Sequence, residues 1–299
     1  MNMQHSAGAF DGWLWTIRHW CGVRRFIIEI GDDVVLPAAN EPYSPHSGRL
    51  VFRIRMLIAL LGKEVEIGNR LTSFIQQHPW RPDVTGWLNV SGSGRNRTFS
   101  GVFPLRSEDD WELALCQHPP FVAELAHAFN LAPRPSSPSG YALCRQFPVG
   151  VFDKDPRKKN WRLFCPKGKS AIDLIGVDRT GAVHIFELKK PGAIAVGALS
   201  ELMFYACLLK EAKDGRLSFS AGNIDPNVRV FPHDIGQASA IRAHLFVPDI
   251  HPLLDAALLA EITALAQAQA WAFSIDAPSM ATTVRSLLPH FRTKATSGR

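Results

Sequence analysis

Asp173, Glu187 and Lys189 are the residues whose types and spacing could do chemistry. Glu187 and Lys189 lie in Ala182-Val183-His184-Ile185-Phe186-Glu187-Leu188-Lys189, an apolar run preceded by the turn residues Thr180-Gly181. Its β-branched and aromatic side chains predict a buried strand. Residues two apart on a strand face the same way. Glu187 and Lys189 therefore share a face, and His184, Phe186 and Leu188 take the other. A buried carboxylate and a buried ammonium are costly unless they pair or hold an ion. Asp173 is the one acid in a second apolar run, Ala171-Ile172-Asp173-Leu174-Ile175-Gly176-Val177. Asp178-Arg179-Thr180-Gly181 between the runs is short enough for a hairpin turn. Antiparallel pairing would bring Asp173 to the side of the sheet that carries Glu187, so that two carboxylates and a lysine converge.

Other elements must hold these strands in place. Ser107 with Glu108, Asp109 and Asp110 predicts a capped helix start, and that helix runs to about Leu115. Pro119-Pro120 breaks it, and a second short helix covers 121–129. A strand is expected within 141–152. After Lys189, Pro191 ends the strand, and a helix is expected from about 193 to 212. Strand, helix and strand follow at 243–247, about 254–268 and 271–275. Upstream, Trp13, Trp15 and Trp20 would anchor a strand or short helix. Phe26–Ile30 and Val34–Leu36 look like a hairpin. Leu50–Leu61 reads as strand at its start. The expected organisation is a β-rich N-terminal domain over 1–105, an α/β domain with a mixed central sheet flanked by helices over 106–285, and a flexible basic tail over 286–299.

The chain has 299 residues, 46% of them hydrophobic and 20% charged, as in globular proteins, and a net charge of +6. Five scattered cysteines lack zinc-site spacing and read as reduced thiols of a cytoplasmic protein. No apolar run reaches membrane-spanning length, and the first residues lack a signal-peptide pattern. The basic charge is concentrated in 153–169. There Lys154, Arg157, Lys158, Lys159, Arg162, Lys167 and Lys169 face only Asp153 and Asp155. Such a segment suits the phosphate backbone of a nucleic acid, where each cation adds sequence-independent affinity. Trp161 within it could stack on a base. No P-loop, dinucleotide fingerprint or zinc-protease motif occurs.

Glu-x-Lys recurs at Glu211-Ala212-Lys213, but that copy lies at a polar helix end where solvated charges are ordinary. The copy at Glu187 differs, with thirteen residues back to Asp173 and apolar neighbours Ile172, Leu174 and Phe186. This pattern resembles the PD-(D/E)xK nuclease superfamily, with its restriction-endonuclease-like fold, over roughly residues 105–280. It is closest to the branch of archaeal-type mismatch and flap endonucleases and RecB-like domains. Ile172 stands where the family name places Pro.

The resemblance implies a Mg²⁺-dependent endonuclease acting on DNA, with Mn²⁺ able to substitute. Asp173 and Glu187 would ligate the cation with the Leu188 carbonyl. Lys189 would orient or help deprotonate the attacking water and offset transition-state charge. Glu112 would add an upstream carboxylate, with Glu108 as runner-up, since residues four apart share a helix face. Glu201 and Tyr205 match the spacing of a Gln-x-x-x-Tyr pair found behind the site in RecB-like members, with Glu replacing Gln. The N-terminal domain would serve substrate recognition or self-association as a homodimer. The competing expectations are a non-catalytic nucleic-acid-binding or scaffolding protein with the same fold, and RNA as the substrate.

Overall fold

The computed structural model describes residues 10–32, 45–77, 86–89, 98–101, 103, 105, 107–155, 163–165, 170–189, 196–219 and 231–291. In chain order the elements are α1 (Phe10–Cys21), β1 (Phe26–Ile28), α2 (Pro45–Leu61), β2 (Val65–Ile67), α3 (Asn69–Gln77), β3 (Gly86–Asn89), α4 (Glu108–Gln117) and α5 (Pro119–Ala128). Then come β4 (Leu143–Pro148), β5 (Gly150–Phe152), β6 (Leu163–Cys165), β7 (Ala171–Val177), β8 (Val183–Leu188), α6 (Gly197–Lys213) and β9 (Leu217–Phe219). The chain continues through α7 (Phe231–Gly236), β10 (Ile241–Phe246), α8 (Ala256–Ala268), β11 (Phe273–Asp276), α9 (Met280–Thr283) and α10 (Leu288–Phe291). The fold is α/β, as the sequence implies.

A five-stranded sheet in the order β11-β10-β8-β7-β4 is the centre. β8, β10 and β11 run parallel, and β7 pairs antiparallel with both β8 and β4. A sheet covered on both faces selects strands with no polar side. That is why β7 and β8 read as near-continuous apolar runs. Ile175, Val177, Val183 and Ile185 pack on one face with Leu199 and Leu202 of α6 and Leu258 and Ile262 of α8. Leu174, Phe186, Leu188 and Phe246 pack on the other with Trp111 and Leu115 of α4 and Leu125 of α5. Ser107 caps α4 in a reciprocal capping box with Asp110, which sets where this helix begins.

The N-terminal third departs from the β-rich expectation. Its described part is mainly helical: α1, α2 and α3 with short strands between them. Leu50–Leu61 is not a strand but the body of α2. Residues 47–54 of this helix are all buried, and burial all round removes the one-sided apolar stripe by which a helix is recognised. The second arm of the hairpin expected after Phe26, residues 34–36, lies outside the described residues. Strand β1 pairs in parallel with β2, its Phe26 opposite Val65. Helices α1 and α2 share a core with the central sheet, since Leu14, Trp15, Phe52 and Leu57 belong to the same apolar cluster as Ile175 and Ile185. Strand β3 joins β5, β6 and β9 in a second sheet. At the other end, residues 286–291, the described part of the tail expected to be flexible, lie in two short helical turns that begin at Arg285. Leu287 is buried there, and the Ser286 amide donates to Glu124 of α5 at 3.1 Å. No helix among the described residues is long and apolar enough to cross a membrane.

A polar knot ties α1 to the start of α6. The Gly12 amide donates to Ser200 Oγ at 2.9 Å, and Ser200 Oγ donates to Asp11 Oδ1 at 2.6 Å. Arg53 Nε of α2 lies 3.4 Å from Asp11 Oδ2. A Cβ at position 12 would stand 2.9 Å from the Val196 carbonyl oxygen and 2.7 Å from Ser200 Oγ. Backbone cannot yield as a flexible side chain can. Gly12→Ala is therefore expected to destabilise the fold by about 1–3 kcal/mol. Denaturant unfolding should show a lower midpoint at unchanged slope. An unchanged midpoint would mean that α1 does not dock closely here.

Candidate functional site

Strands β7 and β8 set the site. Their paired residues run from Val177 opposite Val183 to Leu174 opposite Phe186. One step further in the same register, Asp173 stands opposite Glu187, and strand alternation puts both on the face covered by α6. At this point the Leu188 amide donates to the Asp173 side chain, with Oδ2 accepting at 2.8 Å. Lys189 Nζ donates to Glu187 Oε1 at 2.5 Å and lies 3.4 Å from Glu201 Oε2. The three residues singled out by spacing are thus neighbours, joined by Glu201 from α6. Glu187 is 2% exposed, and Asp173 and Lys189 are half-buried.

Glu112 approaches from α4, on the other side of the sheet. It is buried, and Oε2 accepts from Gln146 Nε2 at 2.7 Å and from Arg145 Nη2 at 3.3 Å. Arg145 also pairs with Asp109. Gln146 has φ of 53°, a left-handed conformation rare for a residue with a side chain. Glu108, one turn before Glu112, adds its charge to the field at Asp173.

The electrostatics follow from too many buried acids. Burial, then the charge of Asp173, pushes Glu112 up to about 7. Burial likewise pushes Asp173 up to about 7, against the opposing pull of Lys189 and the Leu188 amide. Burial and Asp173 together raise Glu187 well above the usual carboxylate range. Glu201 resists its own burial. Lys189 and a hydrogen bond from Glu187 hold it below the ordinary value, so Glu187 keeps the proton and donates it to Glu201. Burial opposes the charge on Lys189, yet Glu187, Asp173 and Glu201 around it raise its pKa, and the amine stays an ammonium. Tyr205, one turn after Glu201, is buried, and burial and then Glu187 raise its phenol.

The donor chemistry suits a hard divalent cation, which takes oxygen ligands. Asp173 and Glu112 each engage one carboxylate oxygen in hydrogen bonds with described residues and leave the other without one. Burial first, and neighbouring acids after it, raise both pKa values beyond what Lys189 and Arg145 offset. The acids are not drawn together into a finished ligand shell: among the described residues, no three His, Cys, Asp or Glu side chains are so placed. Asp173 and Glu187 could hold a cation with one open oxygen of Glu112 behind them. At Leu188 the structure shows a role for the amide, while the expectation concerned the carbonyl.

Of the seven basic residues expected at a nucleic acid, Lys154 is described and exposed. Arg157, Lys158, Lys159, Arg162, Lys167 and Lys169 lie outside the described residues, as does Trp161. His184 faces away from Glu187, as alternation implies. It belongs to a separate buried chain in which its ring lies 3.2 Å from Asp178 Oδ2 and 2.9 Å from His244 Nε2, and His244 in turn contacts Asp276.

Arg49 and Arg53 of α2 were not anticipated at the site. Arg49 is 1% exposed and stacks on Phe204, its Cζ 4.3 Å from the ring centroid. Its charge reaches Glu201 and Tyr205. The available signal was two arginines four apart inside an apolar stretch, a helical spacing. Comparison with known proteins adds no family: no family model, no curated protein and no solved structure matches the chain.

Proposed function

We propose that the chain is a metal-dependent nuclease of PD-(D/E)xK type that hydrolyses phosphodiester bonds in DNA. The observation that carries this reading is the placement of Asp173 and Glu187 on one face, one step beyond the last paired residues of β7 and β8, with Lys189 against Glu187. Asp173 and Glu187 would hold Mg²⁺, or Mn²⁺ in its place, and Glu112 would supply an outer carboxylate. When bound, the cation would polarise the scissile phosphate and acidify a water beside it.

The residues of the chain do the rest. The Leu188 amide fixes Asp173 through Oδ2, and Oδ1 makes no hydrogen bond to a described residue. Lys189 is held as an ammonium and therefore serves as a charge for the developing phosphorane and an orienting donor for the water. Glu201 accepts the hydrogen bond of Glu187, whose Oε1 also accepts from Lys189. Lys154 and the basic residues near it in sequence would grip the backbone of the strand.

The test is cleavage by the full chain with Mg²⁺ and with a chelator, using DNA and RNA of the same sequence in competition. Cleavage of DNA that chelator abolishes is the expected result. Faster cutting of RNA would move the substrate class and keep the mechanism. A second reading, compatible with there being no group of three metal-ligating side chains among the described residues, is a nucleic-acid-binding protein that does not cut. It would show as tight, salt-sensitive binding with no cleavage under any divalent cation.

A further inference from the structure

Among the described residues two histidines are buried, His184 on β8 and His244 on β10, 2% and 3% exposed. Both lie on the sheet face that α4 and α5 cover. Their rings meet edge to edge. The centroids are 5.1 Å apart, the planes differ by 16°, and His184 Nδ1 is 2.9 Å from His244 Nε2. A carboxylate stands at each end of the pair. Asp178 Oδ2 lies 3.2 Å from His184 Nε2, and Asp276 Oδ1 lies 2.5 Å from His244 Nδ1. The four side chains form one line of three contacts that takes in β8, β10, β11 and the turn after β7.

Each contact needs one hydrogen. An ionised carboxylate only accepts, and a neutral imidazole carries a single N–H. Two neutral rings between two carboxylates are therefore one hydrogen short. Asp178 does not supply it. Its Oδ1 accepts from the amide and hydroxyl of Thr180 and from the Ala182 amide, and its Oδ2 accepts from Arg242 at 3.1 Å. Nor does Asp276, whose side chain is 63% exposed, where water stabilises the charged form. Its short contact with His244 has the length of a charge-assisted hydrogen bond. The missing hydrogen thus belongs to the rings. Burial and then His244 lower the pKa of His184, which places the extra proton on His244. His244 donates from Nε2 to His184 and from Nδ1 to Asp276, and His184 donates from Nε2 to Asp178.

The charges that face the pair come from the line itself and from Arg242 of β10. Strand β7 presents Gly176 opposite His184. At the end of α5 the Phe129 ring lies 5.6 and 4.8 Å from the two imidazoles. Elsewhere on α5, Glu124 accepts from the Ser286 amide and His127 is exposed. On α4, Asp109 and Glu112 pair with Arg145, and Asp110 accepts from the Ser107 amide. Asp276 carries the line out to water, so a proton can come and go although both rings are buried.

We propose that His184 and His244 hold one extra proton between them, exchanged with solvent through Asp276, and that it clasps β8, β10 and β11 together as a pH-sensitive element of the sheet. When the proton leaves, one contact is left with acceptor against acceptor. The exposed one, between His244 and Asp276, opens and frees the end of β11. The clasp rests on these four side chains and not on the nuclease reading.

The test counts hydrogens. In the full chain with isotopically labelled histidine rings, nuclear magnetic resonance identifies the two imidazoles by their proximity to Phe129 and reads which ring nitrogens are protonated. At about pH 7 the pair should show three protonated nitrogens, with His184 Nδ1 bare. Asp276→Asn puts an amide donor where the acceptor was and should lower the count to two. At about pH 10, well above the range in which a histidine ordinarily titrates, wild type should also fall to two. Its β11 amides should then exchange about tenfold faster than those of Asp276→Asn, the loss of one hydrogen bond. A count of two or four in wild type near neutral pH, or of three in Asp276→Asn, would overturn the shared proton. Equal β11 exchange in the two proteins at the alkaline pH, or three protonated nitrogens retained there by wild type, would overturn the pH-sensitive clasp.

Discussion

Replacing Asp173 by Asn is expected to lower cleavage about a thousandfold while nucleic-acid binding persists. The substitution keeps size and shape, and the new side-chain oxygen can still accept the Leu188 amide that Asp173 Oδ2 accepts at 2.8 Å. The register of β7 and β8 should therefore survive. What is lost, on the nuclease reading, is one negative charge among the proposed ligands of a divalent cation. Removing one pre-placed charge-stabilising group at a reacting centre costs on the order of 10²–10³ in rate, and a cation ligand that also activates water belongs at the upper end. Glu187→Gln should act alike. Binding should hold because the acid repels the backbone in the absence of metal. The control is the chain's other Glu-x-Lys. Glu211 is paired with Arg216 and lies ten residues along α6 from Glu201, about 15 Å at 1.5 Å per residue. Glu211→Gln should cost some stability and no activity. A rate for Asp173→Asn within a few-fold of wild type would remove the carboxylate from the chemistry, and the nuclease reading with it.

The parts of the fold that could be read in the sequence are those set by local rules. β7 and the turn after it fall where apolar runs bounded by turn residues place them, and β8 lies within the second run. The start of α4 follows from Ser107, whose cap is a matter of four adjacent residues. The convergence of Asp173, Glu187 and Lys189 was legible because one hairpin brings them together, and a hairpin needs no distant partner. Arg49 was not legible. Its neighbourhood is made by α2, β6 and α6, which are far apart in the chain, and no local pattern records that meeting. The knot between Asp11, Gly12 and Ser200 is the same kind of case, with its partners nearly two hundred residues apart. The pairing of strand β1 with β2 is of the same kind, since nearly forty residues separate Phe26 from Val65. The left-handed backbone of Gln146 defeats local reading too, since glutamine carries no preference for it.

The same buried acids make the metal-free protein sensitive to pH, and the second large effect is a stability difference between wild type and Asp173→Asn that widens as pH rises in chelator. Asp173 and Glu112 are both pushed up to about 7, above the values of 3.8 and 4.5 they take when exposed. A carboxyl with a raised pKa in the folded state binds its proton more tightly there than in the unfolded chain. Between about pH 4 and 7 the folded state therefore holds more protons, and stability falls as pH rises. Below that window both states are protonated, and above it the full loss is present. The expected loss at pH 8 is on the order of 2–4 kcal/mol, or about 5–10 °C in Tm for a chain of this size.

His184 works against this trend. Burial and then His244 lower it to about 4, so the unfolded chain takes up its proton first as pH falls below 6.5. That makes stability rise with pH across much of the same window, and an absolute profile would mix the two. Asp178 is held down to about 2 by Thr180, Ala182 and His184 despite burial, and its contribution is lost only below the window. Both groups are the same in wild type and Asp173→Asn and cancel in the difference. The variant should match wild type near pH 4 and exceed it at pH 8. Mg²⁺ should then close the gap by stabilising wild type alone, since cation and protons compete for the same oxygens. A gap independent of pH would show that Asp173 is not held protonated by its surroundings. A gap that Mg²⁺ leaves unchanged would show that its free oxygen is not offered to a cation.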